Sequence, residues 1–273
     1  MSKIHSSRTL CTPRHLLALS AVCAGACIAQ GAMAQEASDS WKFSAGLGLV
    51  SQPKYPGSGD TKTSVLPMLS ANYGRYFIGG VPGAGVPAGV GAYLVQDAHW
   101  RVGVGLGINL DKPRKQSDSA RLNGLGDIDA TTLGSVFASY SDSWWKVGGN
   151  VITDLGGKDQ GTRVSFDLEA KYSPMDRLML TAGPGLTWAD GKYTQTFFGV
   201  DAGQSARSGL ASYTAQSGIN SVSFNLGASY QLTSQWGLGA RFSASSLRGD
   251  AADSPITEKK SQNTFGVFAN YRF

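Results

Sequence analysis

The fold class that this 273-residue sequence predicts is all-β: a transmembrane antiparallel β-barrel of the bacterial outer membrane, with about 12 strands. Three observations predict it. Segment after segment alternates apolar and polar residues with period two, as strands with one greasy face do. The connections between those segments alternate between short and long, the asymmetry of outer-membrane barrels. The chain also closes on NTFGVFANYRF, in which Phe265, Val267, Ala269, Tyr271 and Phe273 share one apolar face. Terminal residues usually fray. Tyr271 and Phe273 are therefore expected to form the assembly signal that barrel-assembly machinery reads.

The other end of the chain is consistent with export. Residues 1–34 carry Lys3, Arg8 and Arg14 and no acid, followed by an apolar run over 16–28 and a small-residue site at Ala32-Met33-Ala34. They are expected to be a cleaved signal peptide, leaving the barrel in residues 35–273. A lipid anchor on Cys27 would want a large aliphatic residue at Ala24, three positions before it. All three cysteines (Cys11, Cys23, Cys27) fall in the leader, so no disulfide or thiolate site is expected in the mature chain. Without the leader's three cations, 21 of the 24 Lys and Arg remain against 19 acids, a net charge of about +2. The sequence pI near 9.1 therefore gives no warrant for nucleic-acid binding. No segment after the leader has 18 consecutive apolar residues, which excludes helical spans.

The strands follow in order, each justified by its alternation. The first, 41–50, turns Trp41, Phe43, Ala45, Leu47 and Leu49 outward. The second, 63–73, turns out Val65, Leu69, Ala71 and Tyr73, and a third covers 75–81. The fourth, 88–95, shows Val90 and Leu94; the fifth, 100–110, alternates Trp100, Val102, Val104, Leu106, Ile108 and Leu110 with Arg101 and three glycines. A sixth spans 130–140, and a seventh, 144–155, sets Trp145, Val147 and Val151 against Lys146, Asn150 and Asp154. The eighth, 163–172, sets Val164, Phe166, Leu168, Ala170 and Tyr172 against Arg163, Ser165, Asp167, Glu169 and Lys171. The ninth (178–188), tenth (219–232) and eleventh (236–247) precede the carboxy-terminal twelfth. Short links such as Ser141-Asp142-Ser143, Ser173-Pro174-Met175-Asp176 and Thr233-Ser234-Gln235 carry turn formers. The longer links, 51–62, 111–129, 156–162, 189–218 and 248–262, are expected outside the cell.

In hydrocarbon every backbone donor and acceptor must pair internally, so a sheet spans only when closed. A soluble sandwich would alternate too, but would not place aromatic rings at strand ends so regularly. Here they recur at Trp41, Tyr73, Trp100, Tyr140, Trp145, Tyr172, Trp188, Tyr230, Trp236 and Tyr271, as in interfacial girdles. The expected location is the outer membrane of a Gram-negative cell, in contact with its lipid and lipopolysaccharide.

Chemistry is sparse. His99 is the one histidine after the leader and stands beside a turn, where a solvated role is expected. Gly103-x-Gly105-x-Gly107 lies within a strand, not at a strand-to-helix turn, so it reads as space inside the barrel, not a phosphate loop. The inward ionic residues Arg101, Lys146, Asp154, Arg163, Asp167, Glu169, Lys171 and Arg241, with Arg272, are candidates to line the lumen. Two roles are open to them: a selective channel or a salt-bridged filling that ties the walls together. No enzyme activity, cofactor or metal is expected.

One resemblance extends over most of the chain. Pro53-Lys-Tyr55-Pro-Gly57-Ser58 follows the first strand, then come Leu66-Pro67, Tyr73-Gly-Arg-Tyr-Phe-Ile-Gly-Gly80 and Gly124-Leu-Gly-Asp-Ile-Asp129. With these motifs the sequence resembles the MipA/OmpV family of outer-membrane proteins. The resemblance implies a scaffold in peptidoglycan synthesis and hydrolysis, with a lytic transglycosylase and a bifunctional murein synthase as partners. Pro53, Tyr55, Gly57 and Ser58 also have a local reading, since Pro and Gly fix a tight loop path. Short periplasmic turns offer little contact area, so a partner would also use the rim or residues 35–40. The alternative function is a small-solute, porin-like channel.

Overall fold

The computed structural model describes residues 40–80, 85, 88–109 and 112–273. The expected leader, residues 35–39 of the segment expected to meet a partner, and Val81 and Leu110 of the expected strands, lie outside the described residues.

Twelve antiparallel strands close on themselves, each paired to its sequence neighbours and the first to the last. They are β1 (Lys42–Pro53), β2 (Thr61–Tyr73), β3 (Tyr76–Gly79), β4 (Ala88–Gln96), β5 (Trp100–Ile108) and β6 (Thr132–Ser141). The second half comprises β7 (Trp145–Asp154), β8 (Thr162–Met175), β9 (Leu178–Ala189), β10 (Gly218–Gln231), β11 (Trp236–Leu247) and β12 (Ser261–Arg272). Among the described residues no helix is long and apolar enough to cross a membrane.

Two sequence expectations need correction. β3 is shorter than the predicted 75–81, because Gly79 adopts φ 104° and leaves extended geometry. The expected turn at 173–176 is strand as far as Met175: β8 absorbs Pro174 in an irregularity between Tyr172 and Met175, and the chain reverses at 176–177.

Alternation sorts the wall as the sequence implies. Val65 (61%), Leu69 (70%), Phe166 (56%) and Leu106 (51%) are exposed on the outer surface, where lipid takes the place of a protein core. Inside, glycine makes room for aromatic rings. A Cβ added to Gly103 would stand 2.4 Å from the Phe137 ring, one on Gly91 2.3 Å from Phe77, and one on Gly239 2.1 Å from Phe268. Phe77, Leu133, Phe137 and Ile152, with Tyr93, make a small apolar cluster against the inner wall.

The larger apolar clusters lie in the loops. The β9–β10 connection holds α1 (Gly191–Phe198) and α2 (Ala202–Ser208), and the β11–β12 connection holds α3 (Gly249–Asp253). Asp190 and Asp201 cap the first two helices by accepting from the Tyr193 and Gln204 amides. Phe197, Phe198, Ala215, Leu247, Ala251 and Ala252 pack with Ile128 of the β5–β6 loop. Beside them Tyr55, Leu122, Leu125, Val200 and Ile256 form a second cluster. Four loops thus fold into a cap over the extracellular mouth.

Candidate functional site

The loop after β1 positions the first motif. Pro53 ends β1 opposite Thr61. Tyr55 plunges into the cap at 1% exposure, its hydroxyl facing the Ile256 carbonyl at 3.5 Å. Gly57, at φ 96°, donates its amide to Gln262 Oε1 (3.1 Å) and accepts from the Glu258 and Lys259 amides through its carbonyl. Ser58 is buried, accepts from the Asp60 amide through Oγ, and receives Gln262 Nε2 on its carbonyl. The motif joins the β1–β2 loop to the β11–β12 loop, about 200 residues away in sequence.

Glu258 completes that junction. Its Oε2 accepts from the Gly59 amide at 2.8 Å and its Oε1 from Ser119 Oγ at 3.0 Å, so three loops meet on one carboxylate. Burial pushes this carboxyl up, but hydrogen bonds from Gly59, Ser119 and Tyr55, with the charge of Arg121, outweigh it and hold the group below the usual range. The same environment pushes the Tyr55 phenol up to about 12, by burial first and the Glu258 charge second.

The Gly124–Asp129 motif is the other hub. Gly124 and Gly126 take φ 86° and 81°, which turns Leu125 and Ile128 into the two cap clusters. Arg207 Nε donates to the Gly124 carbonyl and Gln204 Nε2 to that of Leu125, tying in α2. Asp127 and Asp129 both hold Lys112, each at 2.9 Å. Next to it Arg114 is 2% exposed and donates to the Phe197 carbonyl at 3.1 Å. Burial lowers its guanidinium to about 10, against the pull of Tyr55 and Asp127, so it stays charged at neutral pH.

The inward ionic residues do not form one network. Lys146 stands opposite Glu169 in register but reaches diagonally to Asp167, 4.0 Å away. Lys171 donates to Ser141 Oγ (2.7 Å) and the Asp142 carbonyl (2.6 Å), at the periplasmic end. Asp154 spends both oxygens on Thr131 and on the Gly156, Lys158 and Gln160 amides, shaping the β7–β8 loop. Arg241 and Glu169 line a mid-lumen cavity of about 330 Å³, and Arg101 lines a smaller one of about 250 Å³ near the periplasmic end. Arg163 lines a third, of about 150 Å³, directly beneath the cap. The structure therefore brings Lys146 and Asp167 together and leaves Arg101, Arg163, Glu169 and Arg241 without an ion pair among the described residues.

Two classes of residue escaped the sequence reading. Glu258, Ser119, Gln262 and Arg114 act through loop packing that has no period. Lys62 escaped although the strand pattern could have found it, being the inward cation of β2 at an even-numbered position.

At the periplasmic rim, His99 stacks on Tyr140 (5.5 Å, 14°), and Tyr140 contacts Trp100 and Trp145. Trp144, 65% exposed, tips the β6–β7 turn. Tyr271 packs edge-on to Trp236 and Phe273. The Phe273 amide donates to the Phe43 carbonyl, which closes β12 onto β1 at this end.

Comparison with known proteins gives matches over most of the chain. The sequence profile of the family described as MltA-interacting protein MipA matches residues 45–273. The MltA-interacting protein of Escherichia coli K12 is 24% identical over 255 residues, 91% of this chain and 96% of that protein. A second Escherichia coli K12 protein, YiaT, assigned by its name to the outer membrane, is 27% identical over 158 residues. That match takes in 58% of this chain and spans only 63% of YiaT. Among solved structures, an outer membrane channel from Pseudomonas putida F1 aligns at TM-score 0.43 and 14% identity, over 85% of this chain and 95% of that one. The NanC porin aligns at TM-score 0.44 and 10% identity, over 82% and 98%.

Proposed function

The chain belongs to the MltA-interacting protein MipA family of outer-membrane barrels, and from that premise we propose that it is a non-enzymatic scaffold for peptidoglycan enzymes. Its partners on this reading are a lytic transglycosylase and a bifunctional murein synthase. The relative whose name records an interaction with MltA aligns over 91% of the chain. The observation that carries the reading is the cap. A mouth over which four loops pack around two apolar clusters, with Tyr55, Leu122, Val200 and Ile256 at 1% exposure or less, suits a protein that binds at its rim better than one that passes solute.

The scaffold face is the periplasmic rim. Its turns are two to four residues long, too little for a standard interface of roughly 800 Å² per partner. Trp144, exposed on the β6–β7 turn, completes it, since aromatic side chains carry interface energy. A photo-reactive residue at Asp142 or Asp176 is expected to cross-link a lytic transglycosylase in the cell. Capture of no murein enzyme from either position defeats the scaffold. The mixed-charge lumen favours a second reading, a small-solute channel. Planar bilayers decide it: the intact protein is expected to give no steady conductance, and a selectivity that changes in Lys146→Gln or Arg241→Gln would establish the channel instead.

A further inference from the structure

Directly beneath the cap lies a chamber in two adjoining parts, of about 430 Å³ and about 150 Å³, which share Pro56, Asn109 and Pro113 in their lining. None of the described residues that line either part is acidic. Four of them are basic, and two of those are already neutralised: Lys54 by Asp60 at 3.1 Å, and Lys112 by Asp127 and Asp129. The other two, Lys62 and Arg163, have no hydrogen-bond or ionic partner among the described residues.

Their placement is set by the fold. Lys62 is the second residue of β2 and Arg163 the second of β8, so both stand at the extracellular end of their strands. β2 and β8 are six strands apart in a ring of twelve, which puts the two cations on opposite walls at one level. Between them Gln52, Asn109, Ser221 and Thr264 line the larger part, and their side chains make no hydrogen bond within the described protein. Fixed charge on the inner wall of a barrel is less screened than on its outer surface. Two cations without a partner among the described residues and four idle amide and hydroxyl groups are what an anionic ligand rich in hydroxyls would satisfy.

We propose that this chamber binds a small polyhydroxylated carboxylate, a sugar acid in chemical class. Arg163, in the narrow part, takes the carboxylate through its planar fork. Lys62 adds attraction from the facing wall. Gln52, Asn109, Ser221 and Thr264 meet the ligand hydroxyls, while Pro56, Pro113 and Tyr55 offer apolar surface to its carbon face. The site is independent of the scaffold reading, since it lies under the extracellular cap and not at the periplasmic rim.

The test is calorimetric titration of the intact barrel in detergent with D-glucuronate, and with D-glucose as the neutral twin. One saturable glucuronate site per chain is expected, with glucose roughly tenfold weaker or more, the discrimination that a charged hydrogen bond confers. Arg163→Gln is expected to weaken glucuronate by about tenfold and Lys62→Gln by less, with glucose unchanged by either. Each variant is first checked for heat-modifiable gel migration like that of the parent. Equal affinity for the two sugars overturns the proposal in the parent protein alone, whatever the variants do. Absence of a saturable site, or folded variants that bind glucuronate like the parent, overturns it as well.

Discussion

The two ends of this barrel solve the problem of a strand connection in opposite ways. At the periplasmic end the chain reverses in two to four residues and buries almost nothing; at the extracellular end four links of seven to 28 residues fold together around apolar cores. The wall between them is inside-out, with its large apolar residues turned to lipid. Apart from the small inner-wall cluster around Phe77 and Phe137, the cap is where the described residues use the hydrophobic effect as a soluble domain does, removing Leu122, Ile256 and Ala251 from water altogether. The contrast teaches that cap and wall are stabilised by different terms, and should yield separately.

The most forceful way to break that comparison is to empty the cap. Ile256 is fully buried between Tyr55 and Leu122. Ile256→Ala should cost the cap about 2–5 kcal/mol, as truncation in a packed core does. Amide hydrogen exchange should then rise across residues 116–128, 191–208 and 249–258, while strand amides keep their protection. If strand amides lose protection in step, cap and wall are one cooperative unit and the distinction fails.

A smaller effect sharpens the comparison from the wall side. Gly103→Val places a side chain where the Phe137 ring stands, and overpacking of this kind costs roughly 1–3 kcal/mol. The midpoint of heat-modifiable gel migration should fall, with exchange in the cap unaltered. Adding Phe137→Ala should restore part of the loss, because the two residues occupy one space. A double variant no better than Gly103→Val alone would mean that the glycine serves something other than the ring.

What was legible in the sequence follows from the same division. The wall obeys a period of two, and the register is constrained strand by strand, so twelve strands, their outward faces and the aromatic rims could be read from alternation. Irregular backbone left no such mark: neither Gly79 ending β3 early nor Pro174 carried inside β8 changes the polar pattern. Tyr55, Gly57 and Ser58 stood out as a motif, but their partners Glu258 and Gln262 lie about 200 residues on, in a loop without periodicity. The inward charges were identifiable, yet not their pairing. Register places Lys146 opposite Glu169, and only three-dimensional twist sends its ammonium to Asp167.

The finest test concerns the junction of the three loops at Glu258. Its folded pKa lies below the ordinary carboxylate value, so the anion is the form that the Gly59 amide, Ser119 and Tyr55 favour. A group with a depressed folded pKa contributes stability above its unfolded pKa, and loses it as pH falls through the folded value. The cap should therefore hold constant from neutral pH to about 5, then loosen below about 4 as Glu258 protonates. Because the carboxylate is largely solvated, the contribution is small, below about 1 kcal/mol. Tyr55, pushed up to about 12, stays neutral throughout and adds no slope of its own in this range. Exchange at the Gly59 amide, followed from pH 6 to pH 3 and corrected for intrinsic rates, reads the effect directly. Glu258→Gln should flatten that profile at the level the parent reaches in acid. A profile that falls identically in Glu258→Gln would transfer the acid sensitivity to another carboxylate, and the junction would then owe its hold to Gln262 and the buried Tyr55 ring alone.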